Sequence, residues 1–149
     1  MGLPLAAATS LLVLGCTAGT GRPASPPSPA GPTFPALPDP PLTTVEPARL
    51  VAVGTTPWQY ARAAGETTVD VYFLGSASGC RRLANVRVAE TAATVTVTLF
   101  TGTPPERSAQ PCPAVGVGAR TRVPLRAPLG TRGLLDGSTR PPATRSLRP

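Results

Sequence analysis

Apolar and polar side chains alternate with a period of two over much of residues 49–137, which is the spacing of β-strands. The clearest run is ATVTVTLF, residues 93–100, whose valines and leucine lie on one face and whose threonines lie on the other. Threonine on an exposed strand face agrees with its high β-propensity. Residues 83–90 alternate in the same way, and the short connection at 90–92 predicts a hairpin between the two strands.

Further strands are predicted at residues 49–55, 67–74, 115–126 and 133–137. The segment 67–74 alternates only in part, so we expect both of its faces to be covered. In 115–126 the apolar residues from Val115 to Leu125 point one way, and Pro124 indicates a sheet edge or a strand end.

Helical periodicity is not sustained for three turns anywhere in the chain. Residues 58–65, WQYARAAG, predict one or two helical turns with Gly65 as the cap. The sequence therefore predicts an all-β fold over residues 49–138, either a small antiparallel β-sandwich or a twisted sheet. The tail at 139–149, TRPPATRSLRP, is predicted to be disordered.

The first apolar run, residues 3–15, carries no charge and is too short to cross a bilayer as a helix. This length is typical of the core of a signal peptide, which we place at residues 1–15. The run ends in VLGC, residues 13–16, which resembles the lipobox of bacterial lipoproteins and implies lipid attachment to Cys16. Two alternatives stay open: cleavage after Ala18, which discards Cys16, and a core helix that ends in a buried cysteine.

Proline dominates the next stretch, since residues 22–48 hold ten of the 21 prolines. Proline fixes φ and lacks an amide donor, so neither a helix nor a central strand is expected there. We predict a disordered, extended linker over residues 16–48, which begins at the lipid-attachment cysteine and holds the domain away from a membrane.

The charge and composition exclude several chemistries. The chain has no histidine, which removes Ser-His-Asp and Cys-His catalysis and histidine-ligated zinc. The net charge is +7 and every basic residue is arginine, but the arginines are scattered and form no block of like charges. We therefore expect no metal, no cofactor and no nucleic-acid partner.

The arginines that share one strand face are the main binding candidates. Arg120, Arg122 and Arg126 lie on the polar side of the predicted strand 115–126, and Arg87 could join them from another strand. Arginine forks suit phosphate and other anions, so these four residues form a candidate anion-binding stripe. An ordinary solvated sheet face is the alternative. Asp70 lies in the middle of a strand, where pairing with an arginine is expected.

Cys80 and Cys112 each lie in a predicted loop. In an exported chain an odd cysteine count is unusual, and one lipidated cysteine plus one disulfide accounts for all three. We therefore predict a Cys80–Cys112 disulfide, with two independent free thiols as the alternative.

Residues 79–137 resemble a group of small secreted proteins and lipoproteins of actinobacteria. The shared features are a loop cysteine before a V.V.ET...V.V.L..G hairpin, a second cysteine, and a terminal V.L..PLG.R.L.DG. The resemblance implies a disulfide-linked β domain on the cell surface and brings no assigned activity.

These observations predict a non-enzymatic lipoprotein of the cell envelope, held at the outer face of the cytoplasmic membrane, with secretion as the alternative location. Its role would be binding or structural, with an anionic cell-wall polymer or another envelope protein as the partner. The alternative is a secreted hydrolase that uses carboxylates, or the accessory subunit of one.

Overall fold

A computed structural model describes residues 38–46 and 49–149 of the chain. They form two mixed β-sheets that pack face to face, and they contain no α-helix. This confirms the predicted all-β class. The predicted signal peptide and Cys16 lie outside the described residues.

The described part of the chain contains nine strands and one short 3-10 turn, Pro105–Arg107. The strands are β1 (Val51–Thr56), β2 (Trp58–Gly65), β3 (Thr68–Ser76), β4 (Arg82–Glu90), β5 (Thr94–Thr103), β6 (Gly116–Pro124), β7 (Gly133–Asp136), β8 (Ala143–Thr144) and β9 (Ser146–Arg148). Strands β1 and β3 to β7 lie where the alternation predicts them.

Strand β5 is the centre of the five-stranded sheet. It pairs with β4 along one side in the predicted hairpin, and with β1 and β7 along the other, while β8 extends the sheet beyond β7. The four-stranded sheet has the order β6-β3-β2-β9. Most strand pairs are antiparallel, as the sequence predicts, but β7 runs parallel to β5 and β9 runs parallel to β2, so both sheets are mixed.

The core between the sheets comes from the inward positions of the alternating runs. Val95, Val97 and Leu99 of β5 are fully buried, as predicted, and pack with residues of β2, β3 and β6. Trp58 is fully buried and donates its indole N–H to the carbonyl of Val97 at 2.9 Å. The inward face of 115–126 begins later than predicted, because Val115 and Val117 are exposed and burial starts at Ala119.

Residues 58–65 form strand β2, and the prediction of helical turns there is wrong. The apolar pair Trp58 and Ala61 has helical spacing, and both residues are fully buried. A bulge between Trp58 and Tyr60 adds one residue to the strand, so two positions three apart face the same side. The bulge therefore imitates a helical pattern inside a strand.

The tail at 139–149 is also ordered, against the prediction of disorder. Strand β8 adds to the five-stranded sheet and β9 to the four-stranded sheet. Between them, Arg145 binds the carboxylate of the fully buried Asp136. The edge strand of a sheet has backbone N–H and C=O groups without partners, and the tail strands β8 and β9 form hydrogen bonds with β7 and β2 at these edges.

Residues 38–46 belong to the folded unit, although the sequence places them in the linker. We call this segment the strap. The N–H of Thr43 donates to the carbonyl of Arg120 in β6 at 2.7 Å, and the N–H of Glu46 donates to the carbonyl of Leu83 in β4 at 2.8 Å. The strap thus crosses from an edge of one sheet to an edge of the other.

Candidate functional site

The outer surface of the four-stranded sheet carries two rows of polar and aromatic side chains. Residues that are in register on neighbouring strands share a face of the sheet. One row is Arg120, Tyr72 and Tyr60, and the other is Arg122, Asp70, Arg62 and Arg148. We call these seven residues, together with Asp39 of the strap, the Arg–Tyr face.

Asp70 is the centre of the face and binds both arginines of β6. Nε and Nη2 of Arg122 donate to its two oxygens at 2.8 and 3.0 Å, and Arg120 donates through Nη1. The hydrogen bond from Arg122, followed by that from Arg120, lowers the pKa of the buried Asp70 carboxyl. The predicted pairing of Asp70 with arginine is therefore confirmed, and the cluster keeps one net positive charge.

The strap docks on this face through Asp39. Its carboxylate accepts a hydrogen bond from the Tyr72 hydroxyl at 3.1 Å and from Nη1 of Arg62 at 3.0 Å. Burial, then the bond to Asp39, raises the pKa of Tyr72. Nε of Arg120 donates to the carbonyl of Pro40 at 2.9 Å, which fixes the neighbouring guanidinium.

Two tyrosine rings stack at the middle of the face. The centroids of Tyr60 and Tyr72 are 4.5 Å apart, and the ring planes differ by 14°. The guanidinium of Arg148 lies 4.0 Å from the centroid of Tyr60, and that of Arg62 lies 5.6 Å from the centroid of Tyr72. Arginines thus lie against both members of the ring stack, and each such contact is favourable.

The face carries more positive than negative charge. Four guanidinium groups (Arg62, Arg120, Arg122, Arg148) face two carboxylates (Asp39, Asp70), which leaves a net side-chain charge of +2. The side chains of Arg62 and Arg122 are 41% and 52% exposed, so their charge reaches solvent. These groups can bind an anion by charge-assisted hydrogen bonds.

The four arginines of the predicted stripe do not lie together. Arg120 and Arg122 belong to the Arg–Tyr face, but Arg87 is on β4 of the other sheet, with its guanidinium 5.1 Å from the centroid of Phe100. Arg126 follows the end of β6, where its backbone N–H donates to Glu90 at 2.7 Å. The prediction that these four arginines form one stripe is therefore wrong, because only Arg120 and Arg122 lie on the same face.

Besides Asp39, Asp70 and Tyr72, three further residues of the face are missing from the predicted anion site: Tyr60, Arg62 and Arg148. Two of them lie in the segment predicted to be helical, and the third lies in the tail predicted to be disordered. The alternation of Tyr60, Arg62 and Ala64 against Ala61 and Ala63 is a local strand signal that could have identified the first two.

The least exposed carboxylates of the described residues are all bound by arginine. Besides Asp70, Asp136 accepts hydrogen bonds from Arg145, the Ser138 N–H and the Trp58 N–H at 2.9 to 3.3 Å. Glu90 accepts from the Arg126 N–H and from Arg132, and these bonds lower its pKa. The lowered pKa values of Asp70 and Glu90 keep these two carboxylates charged at neutral pH.

Cys80 and Cys112 are adjacent free thiols, the first buried and the second exposed. The hydrogen bond from the Cys112 thiol, followed by that from Ser78, lowers the pKa of Cys80. The same contact between the two thiols raises the pKa of Cys112. The predicted pair is thus brought together, and whether it is oxidised stays a prediction.

Within residues 38–46 and 49–149, no group of three cysteine, aspartate or glutamate side chains is placed to hold a metal ion. The same residues include no helix with the length and apolar character needed to cross a membrane. Comparison with protein-family models, with curated proteins and with solved structures finds no match to this chain. Its function is therefore inferred from the chemistry of the site itself.

Proposed function

We propose that the protein is a non-enzymatic binding domain of the cell envelope whose Arg–Tyr face holds an anionic polymer. The observation that carries this proposal is the excess positive charge on one outer sheet face, presented by arginines that the stacked tyrosines and the carboxylates of Asp39 and Asp70 hold in place. Arginine forks bind phosphate groups with defined geometry, and prior ordering reduces the entropy lost on binding.

A polymer fits this surface better than a single small anion does. Neighbouring strands are about 4.8 Å apart, so the arginines of β6 and β9 lie on opposite sides of a face roughly 14 Å wide. An extended chain with repeated negative charges contacts both sides at once, whereas one phosphate reaches only one side. Several weak contacts on one chain add to a useful affinity.

The test uses long-chain polyphosphate and poly(glycerol phosphate) as probes, with the purified domain in solution. We expect both polymers to bind the wild type, with affinity that falls as salt rises because the contacts are exposed charges. The double variant R122Q/R148Q removes two charges from the face and should bind at least tenfold more weakly.

The double variant R87Q/R126Q is the matched control, since it removes the same charge from arginines outside the face. Equal losses in the two double variants would show that only net charge matters and would contradict the proposal. Turnover of a glycan or ester that Asp136→Asn abolishes would contradict the non-enzymatic role.

The proposed location rests on Cys16, which would carry a diacylglycerol group at the start of the proline-rich linker. The linker would place the β domain away from the outer face of the cytoplasmic membrane. The resemblance of residues 79–137 to small actinobacterial surface proteins supports the same location. Metabolic labelling with a fatty acid should tag the wild type and not Cys16→Ser; an untagged wild type in the medium would indicate secretion.

We also propose that Cys80 and Cys112 form a disulfide in the exported protein. The fold brings the two thiols near each other although 31 residues separate them in the chain. In the chain-entropy account, closing a loop of about 33 residues contributes roughly 3–4 kcal/mol to stability. Non-reducing peptide mass spectrometry should find the linked peptides, and two free thiols in the exported protein would contradict this pairing.

A further inference from the structure

A cleft of about 470 Å³ lies where the strap crosses the open side of the sandwich, beside the ends of β3 and β6. Phe73 and Ala119, both buried, form part of its apolar lining. Leu42, Leu74 and Val117 lie at its rim and are 45%, 57% and 42% exposed. Three of the large exposed apolar residues thus line this one cleft. Its volume is within the range of clefts that hold small ligands, about 300–1,000 Å³.

One wall of the cleft carries an arginine held by neutral groups. Nε and Nη2 of Arg81 donate to the hydroxyl of Thr101 at 3.1 and 2.8 Å, and Nη2 also donates to the Thr101 carbonyl at 3.1 Å. The hydroxyls of Thr56 and Thr101 are 2.6 Å apart and extend this polar wall.

The charge of Arg81 has no counter-ion within the described ranges of the chain. Its neighbour Arg82 pairs with Glu46 of the strap at 3.4 Å, but no carboxylate there pairs with Arg81. Nη1 of Arg81 also has no hydrogen bond to those residues. Arg82 and Glu46 line the same cleft but pair with each other, so Arg81 is the cationic donor there that no carboxylate of the described residues neutralises.

We propose that this cleft binds a small amphipathic carboxylate, a molecule with one carboxylate head and an apolar body such as a medium-chain fatty acid. The carboxylate would accept a hydrogen bond from Nη1 of Arg81, and the apolar body would lie against Phe73 and the exposed rim. One guanidinium balances one carboxylate, whereas a doubly charged phosphate would keep an unbalanced charge next to apolar side chains. This site is separate from the Arg–Tyr face and does not depend on the proposed polymer binding.

Calorimetric titration of the purified domain with dodecanoate, below its micelle concentration, tests the proposal. Dodecan-1-ol, which has the same chain and no charge, is the ligand control. We expect dodecanoate to bind the wild type about tenfold or more tightly than dodecan-1-ol, because only the carboxylate forms a charge-assisted hydrogen bond. No binding of dodecanoate, or equal affinity for the two ligands, would overturn the proposal.

Variants test the two parts of the site separately, the carboxylate contact at Arg81 and the apolar contact at the rim. Arg81→Gln should remove the preference for dodecanoate, Arg81→Lys should keep part of it, and Arg87→Gln outside the cleft should keep all of it. Because Arg81 also orders Thr101, the unfolding midpoint of each variant is measured alongside. Leu74→Ser changes an exposed rim residue without opening the core, and it should weaken both ligands equally. Unchanged binding of both ligands in Leu74→Ser, or a retained preference in a folded Arg81→Gln, would overturn the assignment.

Discussion

The two outer sheet faces of this protein arise from the same alternation of residues but differ in chemistry. On the five-stranded sheet the outward positions of β5 are mostly threonines, and the arginine beside them, Arg87, contacts one aromatic ring. On the four-stranded sheet the outward positions hold two stacked tyrosines, four arginines and Asp70, and the strap adds Asp39. The comparison shows that alternation decides which side chains point outward, while cross-strand pairing decides whether they act together.

The largest expected effect comes from Asp70→Asn, which removes the shared counter-ion of Arg120 and Arg122. We expect a loss of about 2–3 kcal/mol in the free energy of unfolding, somewhat below the usual cost of breaking a buried pair because Arg122 is half-exposed. Urea denaturation of the wild type and of Asp70→Asn measures this difference in the free energy of unfolding.

Glu46→Gln is the control for this change, since it breaks an ion pair at 3.4 Å between partly exposed groups and should cost less than about 1 kcal/mol. Asp70→Asn should also bind polyanions more tightly, because the face gains positive charge. Equal losses of stability in the two variants would contradict the central role of Asp70.

The second prediction concerns the pH dependence of stability, to which Asp70 of the Arg–Tyr face and Glu90 at the end of β4 contribute. The folded protein lowers the pKa of Asp70 and Glu90, so the unfolded chain takes up protons first as the pH falls. Their contribution is complete above the ordinary carboxyl pKa values of 3.8 and 4.5, and it is lost as the pH falls through the lower folded values.

Stability measured by urea denaturation at a series of pH values below 5 should therefore fall more steeply for the wild type than for Asp70→Asn. The variant Thr96→Ser, on the outer face of β5, should keep the slope of the wild type. Parallel profiles for wild type and Asp70→Asn would show that Asp70 does not contribute in this way.

The third prediction compares one aromatic ring on each face. Tyr60 contacts both the Tyr72 ring and Arg148, whereas Phe100 contacts the guanidinium of Arg87. Tyr60→Ala should lower the free energy of unfolding by about 0.5–1.5 kcal/mol more than Phe100→Ala does. This difference is what an aromatic pair contributes beyond the area that it buries. Thermal unfolding of both variants measures the difference, and a larger loss in Phe100→Ala would reverse the comparison.

The smallest expected effect is that of Arg87→Ala on the five-stranded sheet. Its guanidinium is exposed and has one ring contact, so removing it should cost no more than about 1 kcal/mol of stability. Polyphosphate affinity should stay within twofold of the wild type. A loss of affinity as large as that of R122Q/R148Q would place the binding surface on both faces.

Much of the fold could be predicted because a period of two is a local signal. The strands β3 to β7, the β4–β5 hairpin and the inward valines of β5 follow from residues that are neighbours in the chain. Local patterns also led to two errors: at residues 58–65 a bulge gave two buried positions a helical spacing, and at the start of β6 the predicted inward residues Val115 and Val117 are exposed.

The candidate site was predictable only in part. Arg120, Arg122 and their pairing with Asp70 follow from alternation along single strands. Arg148 could not be found in this way, because its place on the face depends on β9 pairing with β2, which lies more than eighty residues earlier in the chain. Arg87 was misplaced for the same reason, since nothing local indicates which sheet a strand joins.

The sequence by itself determined that this chain alternates, that it packs strands rather than helices, and that it has no histidine chemistry. Only the tertiary structure decided which strands share a sheet and which arginines share a face. It also decided that the tail and the strap pair with the edges of the sheets. The physical reason is that the pleat fixes the direction of a side chain within each strand. The neighbour of that side chain, by contrast, is set by hydrogen bonds between strands far apart in the chain.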